Sequence, residues 1–203
     1  MTHRDFESED LQPLDREQLT HQHVLLQATN DIAAILLQSG IDDFEKKLLH
    51  CMGIMAHAFN TDRMYIWKNR IQNDELYCTQ LYEWSKNVEL QQYSKYTLDV
   101  SYSENIPGWE EKLSNRQCIN GIVSKMTLAE QKLFTPQRII SILVTPVFLK
   151  DHFWGFVGID DCRRERVFSE NEEIILHSTA LLFTNALLRN RMTEEIHASA
   201  VHW

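Results

Sequence analysis

Glycine and proline are scarce in this 203-residue chain, six and four respectively, so few residues are present to punctuate loops. Long elements joined by few connections are expected. No run of eighteen apolar residues occurs, and the amino-terminal MTHRDFESED is acidic where a secretory signal is basic and then apolar. The expectation is a soluble, cytoplasmic chain with no membrane partner. Basic charge is also short: 20 Lys plus Arg face 29 Asp plus Glu, a net charge of −9, the wrong sign for neutralising phosphates. Nucleic acid is excluded as a partner on that ground. Four cysteines, Cys51, Cys78, Cys118 and Cys162, contain no CxxC pair and no tight metal spacing, which reads as reduced thiols. GxSxG, HExxH, P-loop and GxGxxG signatures are missing as well.

What is present is an ordinary globular composition, 43% hydrophobic and 24% charged. A folded chain of this size buries roughly 70% of its unfolded surface and needs no staples. The first residues are dominated by Asp5, Glu7, Glu9, Asp10 and Asp15, so residues 1–15 read as an acidic flexible leader. From 16 to 38, Leu19, Leu25, Ile32 and Leu36 recur at helical spacing, with Gly40 placed to cap. Asp42 and Glu45 then read as the start of a second helix running to about Asn60. The period changes to that of strands at 62–70 and 75–85, joined by the polar IQND as a hairpin. Residues 86–124 have weak periodicity and form a crossover, with one short helix expected after Pro107.

Thr127 with Glu130 predicts a capped short helix closed by Pro136. Two strands follow at 138–149 and 152–162, linked by Lys150-Asp151. Ser169 with Glu172 caps a final long helix that carries Ile174, Leu181 and Leu188 at seven-residue spacing. The order predicts an α+β fold around an antiparallel sheet: one domain over 16–192, with 193–203 as a helical extension. A chain ending inside a helical stretch at Trp203 points to a piece of a longer protein.

Five stretches together resemble one family. They are Asp62-Arg63-Met64-Tyr65-Ile66-Trp67, Tyr82-Glu83-Trp84, Ile106-Pro107-Gly108-Trp109, Ser141 to Val147, and Phe153 to Asp161. Over about residues 20–192 the chain resembles the GAF sensory domains of bacterial histidine kinases and cyclic-dinucleotide signalling proteins. The resemblance implies a PAS-like sheet of about six strands, with the long terminal helices on one face. It also implies a small-molecule pocket between the other face and the crossover. Gly155 and Gly158 suit such a strand, because each can admit a close neighbour against its backbone.

Among candidate residues, Asp160 and Asp161 point to opposite sides of a strand, and Asp161 reads as a turn partner of Arg163 and Arg164. The cysteines do not match the clustered pattern of relatives that reduce methionine sulfoxide; Cys118 alone is a pocket thiol candidate. The bilin-attachment pattern is absent, since Ile119 and Asn120 follow Cys118. Of the cyclic-nucleotide signature only Phe168 and Glu172-Glu173 are present. No metal site and no cofactor is read from the nine histidines; His197 reads as a solvent-facing helix residue. Trp67 and Trp154 read as core. The expected ligand contacts are Tyr82, Trp84, Trp109, Cys118, Asn120 and Asp160, with Phe134 near the crossover. Ile174, Leu181 and Leu188, with Leu25, Ile32 and Leu36 of the leading helix, are expected to form a homodimer seam.

The sequence thus reads as a non-catalytic sensory module that binds a small molecule and signals through dimerised helices. Two other readings stay open: a ligand-free dimerisation or docking module, and a small thiol redox enzyme using Cys118.

Overall fold

The computed structural model describes residues 13–87 and 99–200, with side chains from residue 16. The expected leader therefore lies outside the described residues up to 12, as does the crossover segment 88–98. Helix α1 spans Pro13–Leu37 and α2 spans Phe44–Ala58. Leu25, Ala28, Ile32 and Leu36 return every three or four residues, which puts them on one side of α1, and all four are buried. The α2 N-cap is Asp43, one residue later than expected. Its carboxylate turns back to the loop instead of capping, accepting the Gly40 N–H at 3.1 Å and pairing with Lys47 at 2.7 Å.

Strands β1 (Arg63–Gln72) and β2 (Glu75–Ser85) form the first hairpin. Asn73 and Asp74 turn it with φ of 53° and 61°, the two left-handed positions of a type I′ turn, so β1 runs two residues further than expected. The crossover holds β3 (Val100–Ser101), α3 (Tyr102–Asn105), α4 (Trp109–Ser114) and β4 (Ile119–Ile122). Helix α5 (Leu128–Phe134) carries the expected capping box between Thr127 and Glu130. Strands β5 (Ser141–Leu149) and β6 (His152–Asp161) are joined by Lys150-Asp151, and α6 runs Glu170–Ala200.

The six strands make one antiparallel sheet, as the sequence and its resemblance predicted, and their order is β3-β2-β1-β6-β5-β4. One face lies under α2 and α6, and α1 packs across those two helices. Met64, Ile66, Leu143, Val157 and Ile159 meet Leu48, Met52, Leu176 and Phe183 there. On the other face Tyr65, Val144 and Phe156 meet Trp109 of α4 and Phe134 of α5.

This layering corrects the expected seam. Leu25, Ile32 and Leu36 are 1%, 0% and 3% exposed, because α1 needs them to cover α2 and α6. The apolar residues that α1 leaves outside include Leu19, Val24 and Leu26. On α6, Ile174 is exposed, while Leu181 and Leu188 are half-buried.

Candidate functional site

Alternation along β1 sends Met64 and Ile66 to the helix face and Arg63, Tyr65 and Trp67 to the crossover face. The β1–β6 register sets Arg63 opposite Asp160, Tyr65 opposite Gly158 and Trp67 opposite Phe156. Gly158 is what lets the Tyr65 ring lie down: a Cβ there would fall 2.2 Å from Tyr65 Cε2. The phenol then donates to Asp160 Oδ1 at 2.8 Å. Trp67 stacks on Phe156 at 5.6 Å, so it belongs to this face and not to the main core where the sequence placed it. Trp154 is buried in that core as expected.

Strand β2 is irregular where it matters. Ile66 pairs with Tyr82 but Trp67 pairs with Gln80, so Leu81 is an extra residue. A one-residue insertion flips every later side chain to the opposite face. Gln80 and Glu83 therefore share the crossover face, while Tyr82 and Trp84 face the helices. Trp84 lies on Gly53 of α2, where a Cβ would fall 2.7 Å from its Nε1, and its ring meets His57 at 5.0 Å. Tyr82 borders a groove with Phe44, Leu49 and Asn190.

Cys118 and Asn120 also sit away from the crossover face. Ile119, paired with Val144, faces the crossover, and Asn120, paired with Leu143, faces the helices. Asn120 is saturated there: Nδ2 donates to the Phe168 carbonyl and Glu173 Oε1 at 2.8 and 2.7 Å, and Oδ1 accepts the Phe168 N–H at 3.0 Å. Cys118 packs half-buried against the helix-side core, and burial raises its thiol pKa. Of the six expected contacts, Trp109 and Asp160 are the two that the structure brings together. Asp161, on the other side of β6, accepts the Arg163 and Arg164 N–H groups at 2.9 and 3.0 Å, which is the expected turn.

Between the sheet and the crossover lies a cavity of about 60 Å³, with Arg63, Glu83, Trp109, Phe134, Phe156 and Asp160 among its walls. Trp109 is fixed by its Nε1–H, which donates to Glu130 Oε1 at 2.7 Å. The other Glu130 oxygen accepts the Thr127 N–H and hydroxyl at 2.8 and 2.7 Å, so one carboxylate caps α5 and holds the pocket wall. Asp160 is 1% exposed. Desolvation pushes its pKa up to about 7, against the opposing pull of Arg63 and the Tyr65 hydrogen bond. The Arg63 Nη2 donates to the Gln137 carbonyl and to Cys162 Sγ, leaving Nε buried without a partner. Glu83 Oε2 accepts from Gln80 Nε2 at 2.7 Å, and its Oε1 is likewise buried and unpaired.

The sequence reading missed Arg63, Gln80 and Glu83. Arg63 was visible in principle, as a cation in phase with Tyr65 and Trp67 at the head of the apolar run Met64 to Trp67. Glu83 was not, because the bulge that turns it inward has no glycine to mark it. The four thiols are all raised by burial, to about 11 at Cys51 and Cys162 and about 12 at Cys78. Among the described residues no group of three or more His, Cys, Asp or Glu side chains could hold a metal ion. None of the described helices is long and apolar enough to cross a membrane.

Known proteins place this geometry. Over 155 residues the chain is 31% identical to the methanogenesis regulatory histidine kinase FilI of Methanothrix harundinacea (strain 6Ac). That stretch covers 76% of this chain and 18% of the kinase, so the chain spans less than a fifth of that relative's length. The fold is similar to a phycoerythrobilin-bound GAF domain of a cyanobacterial phytochrome, with TM-score 0.64 at 16% identity over 84% of this chain and 97% of the other. It is equally similar to the GAF domain of a phosphoenolpyruvate-protein phosphotransferase from Coxiella burnetii, with TM-score 0.63 at 15% identity over 86% and 98%. The GAF domain family profile matches residues 43–187, from the start of α2 to the middle of α6. With the sheet order, the two-faced packing and this match in agreement, the chain belongs to the GAF domain family.

Proposed function

We propose that this GAF domain is the sensory, non-catalytic input of a signal-transduction protein of histidine-kinase type. It binds a small molecule between sheet and crossover and transmits the event through its long helices. The observation that carries the reading is the cavity with two unmet buried polar atoms, Arg63 Nε and Glu83 Oε1. Unsatisfied buried groups are rare in native proteins, and each calls for a partner such as a ligand, ion or ordered water. The kinase relative and the bilin-bound neighbour support the same assignment.

Transmission through a homodimer is part of the proposal. Ile174, Met192 and Ile196 of α6 are 57%, 63% and 67% exposed, and Leu19, Val24 and Leu26 are exposed on α1. Pairing of such helices supplies the two-state packing that a ligand can bias. The redox alternative is disfavoured, because a thiol raised by burial is a poor nucleophile and Cys118 faces away from the cavity. The docking-module reading keeps one point in its favour: the cavity, at about 60 Å³, is largely closed by Trp109, Phe134 and Phe156.

Native mass spectrometry of the purified chain separates these readings. A dimer with a co-purified small mass supports the sensor. An apo dimer that takes up no small molecule supports the docking module, and a monomer removes the helix-pairing part.

A further inference from the structure

Arg63 Nε–H can only donate and an ionised Glu83 Oε1 can only accept, and neither has a partner. Arg63 is 3% exposed and lines the cavity, so a group held in the cavity is placed to meet it. Tyr65 pairs with Glu83 and Arg63 with Ser85, which makes Arg63 and Glu83 diagonal neighbours across β1 and β2. Diagonal backbone positions lie roughly 7–8 Å apart, so the two side chains leave the same stretch of the sheet toward the cavity. Among the described residues no ion pair joins the two side chains. Their formal charges cancel, so a bridging group that is itself neutral leaves the site balanced. The cavity, at about 60 Å³, is several times the roughly 10–15 Å³ that one enclosed water needs, so it admits a compact ligand group. Its apolar walls combine the rings of Trp109, Phe134 and Phe156 with the aliphatic side chains of Ile106, Leu133 and Ile139.

Resting on the pocket reading above, we infer that this site takes a compact neutral group of primary amide or lactam type. Its carbonyl oxygen accepts from Arg63 Nε, and its N–H donates to Glu83 Oε1. A carboxylate satisfies Arg63 but sets a negative oxygen against Glu83 beside Asp160. An amidinium satisfies Glu83 but sets a cation against Arg63. A group with one acceptor and one donor side by side meets both atoms without adding charge.

Acetamide, acetate and acetamidinium are nearly the same shape and differ in this pattern alone, which makes them the probes. Each is titrated into the purified chain at pH 6, below the titration of Asp160 near 7, while the Arg63 Nε–H and Trp109 Nε1–H resonances are followed by NMR. Acetamide is expected to move both resonances, with a dissociation constant on the order of 1 mM, the scale a four-atom ligand can reach. It should bind at least tenfold more tightly than either charged probe. Glu83→Gln, at a half-buried position, should shrink the acetamide-over-acetate preference about tenfold, because the repelling charge is gone. Equal or tighter binding of acetate or acetamidinium to the wild type overturns the amide assignment and leaves the pocket reading standing. If none of the three moves a cavity resonance, both readings fall.

Discussion

The two faces of the sheet are built from the same strands and solve opposite problems. Under α2 and α6 the contacts are apolar and closed: Leu48, Met52, Val157 and Phe183 are each 0% exposed. Under the crossover aromatic and charged side chains line a cavity that persists and holds two unmet polar atoms of opposite charge, where the helix side has the neutral Thr179 hydroxyl. On β1 the difference is a matter of phase, Met64 and Ile66 one way, Arg63, Tyr65 and Trp67 the other. One face supplies stability and the other keeps interactions in reserve, the division expected where a rigid scaffold carries a responsive site.

If that division holds, the largest loss of stability comes from the helix face and leaves the cavity untouched. Phe183→Ala should cost about 3–5 kcal/mol, since it removes a fully buried ring from a core that cannot collapse around it. Urea unfolding measures the loss, and an unchanged Arg63 Nε–H resonance in the folded fraction shows the separation. A shifted resonance breaks it.

The next effect belongs to the cavity face and is read in pH. The Asp160 carboxyl ordinarily titrates at 3.8 and is pushed up to about 7 in the fold. The folded state therefore holds this proton more tightly than the unfolded chain. The contribution is complete below about pH 4 and is lost as pH rises through about 7, with roughly 4 kcal/mol as its upper bound. Asp160→Asn should flatten unfolding free energy against pH in that window relative to the wild type. A slope that survives the substitution assigns the titration elsewhere.

Gly158→Ala follows, at about 1–3 kcal/mol, the cost of overpacking a well-filled site. The added methyl collides with the Tyr65 ring and drives its hydroxyl away from Asp160. Thermal unfolding gives the loss. Ultraviolet difference spectra of Tyr65 decide whether it arises where proposed.

How far the sequence foretold these faces depends on what kind of signal each carries. Periodicity located the long helices and β1, β2, β5 and β6 but not the short β3, α3 and β4 of the crossover, and capping boxes at Thr127 and Ser169 set two helix starts, because those signals are local. The layering of α1 was less legible: Leu25, Ile32 and Leu36 show an apolar stripe but not whether it meets this chain or another. Tyr82 and Trp84 were misplaced by a single extra residue at Leu81, which inverts the strand beyond it. Asn120 reads as a pocket amide until β4 is paired with β5, which turns it to the Phe168 backbone. Each miss depends on a register, and register is fixed by partners far away in sequence.

The smallest effects are the most discriminating, because one motif occurs on both faces. Thr127 with Glu130 opens α5 beside the cavity, and Ser169 with Glu172 opens α6 on the helix side. Both glutamates spend one oxygen on the cap. The other oxygen of Glu130 holds the Trp109 indole at 2.7 Å, whereas that of Glu172 meets His21 at 3.2 Å and Arg166 at 3.5 Å. Thr127→Ala and Ser169→Ala should each cost about 1 kcal/mol, the usual value of an N-cap hydroxyl. Only the first frees Glu130 to shift, so only Thr127→Ala should move the Trp109 Nε1–H resonance and weaken acetamide binding. Were Ser169→Ala to move that resonance as far, the cap of α6 and the cavity would be coupled through the sheet, and the two faces would be one cooperative unit.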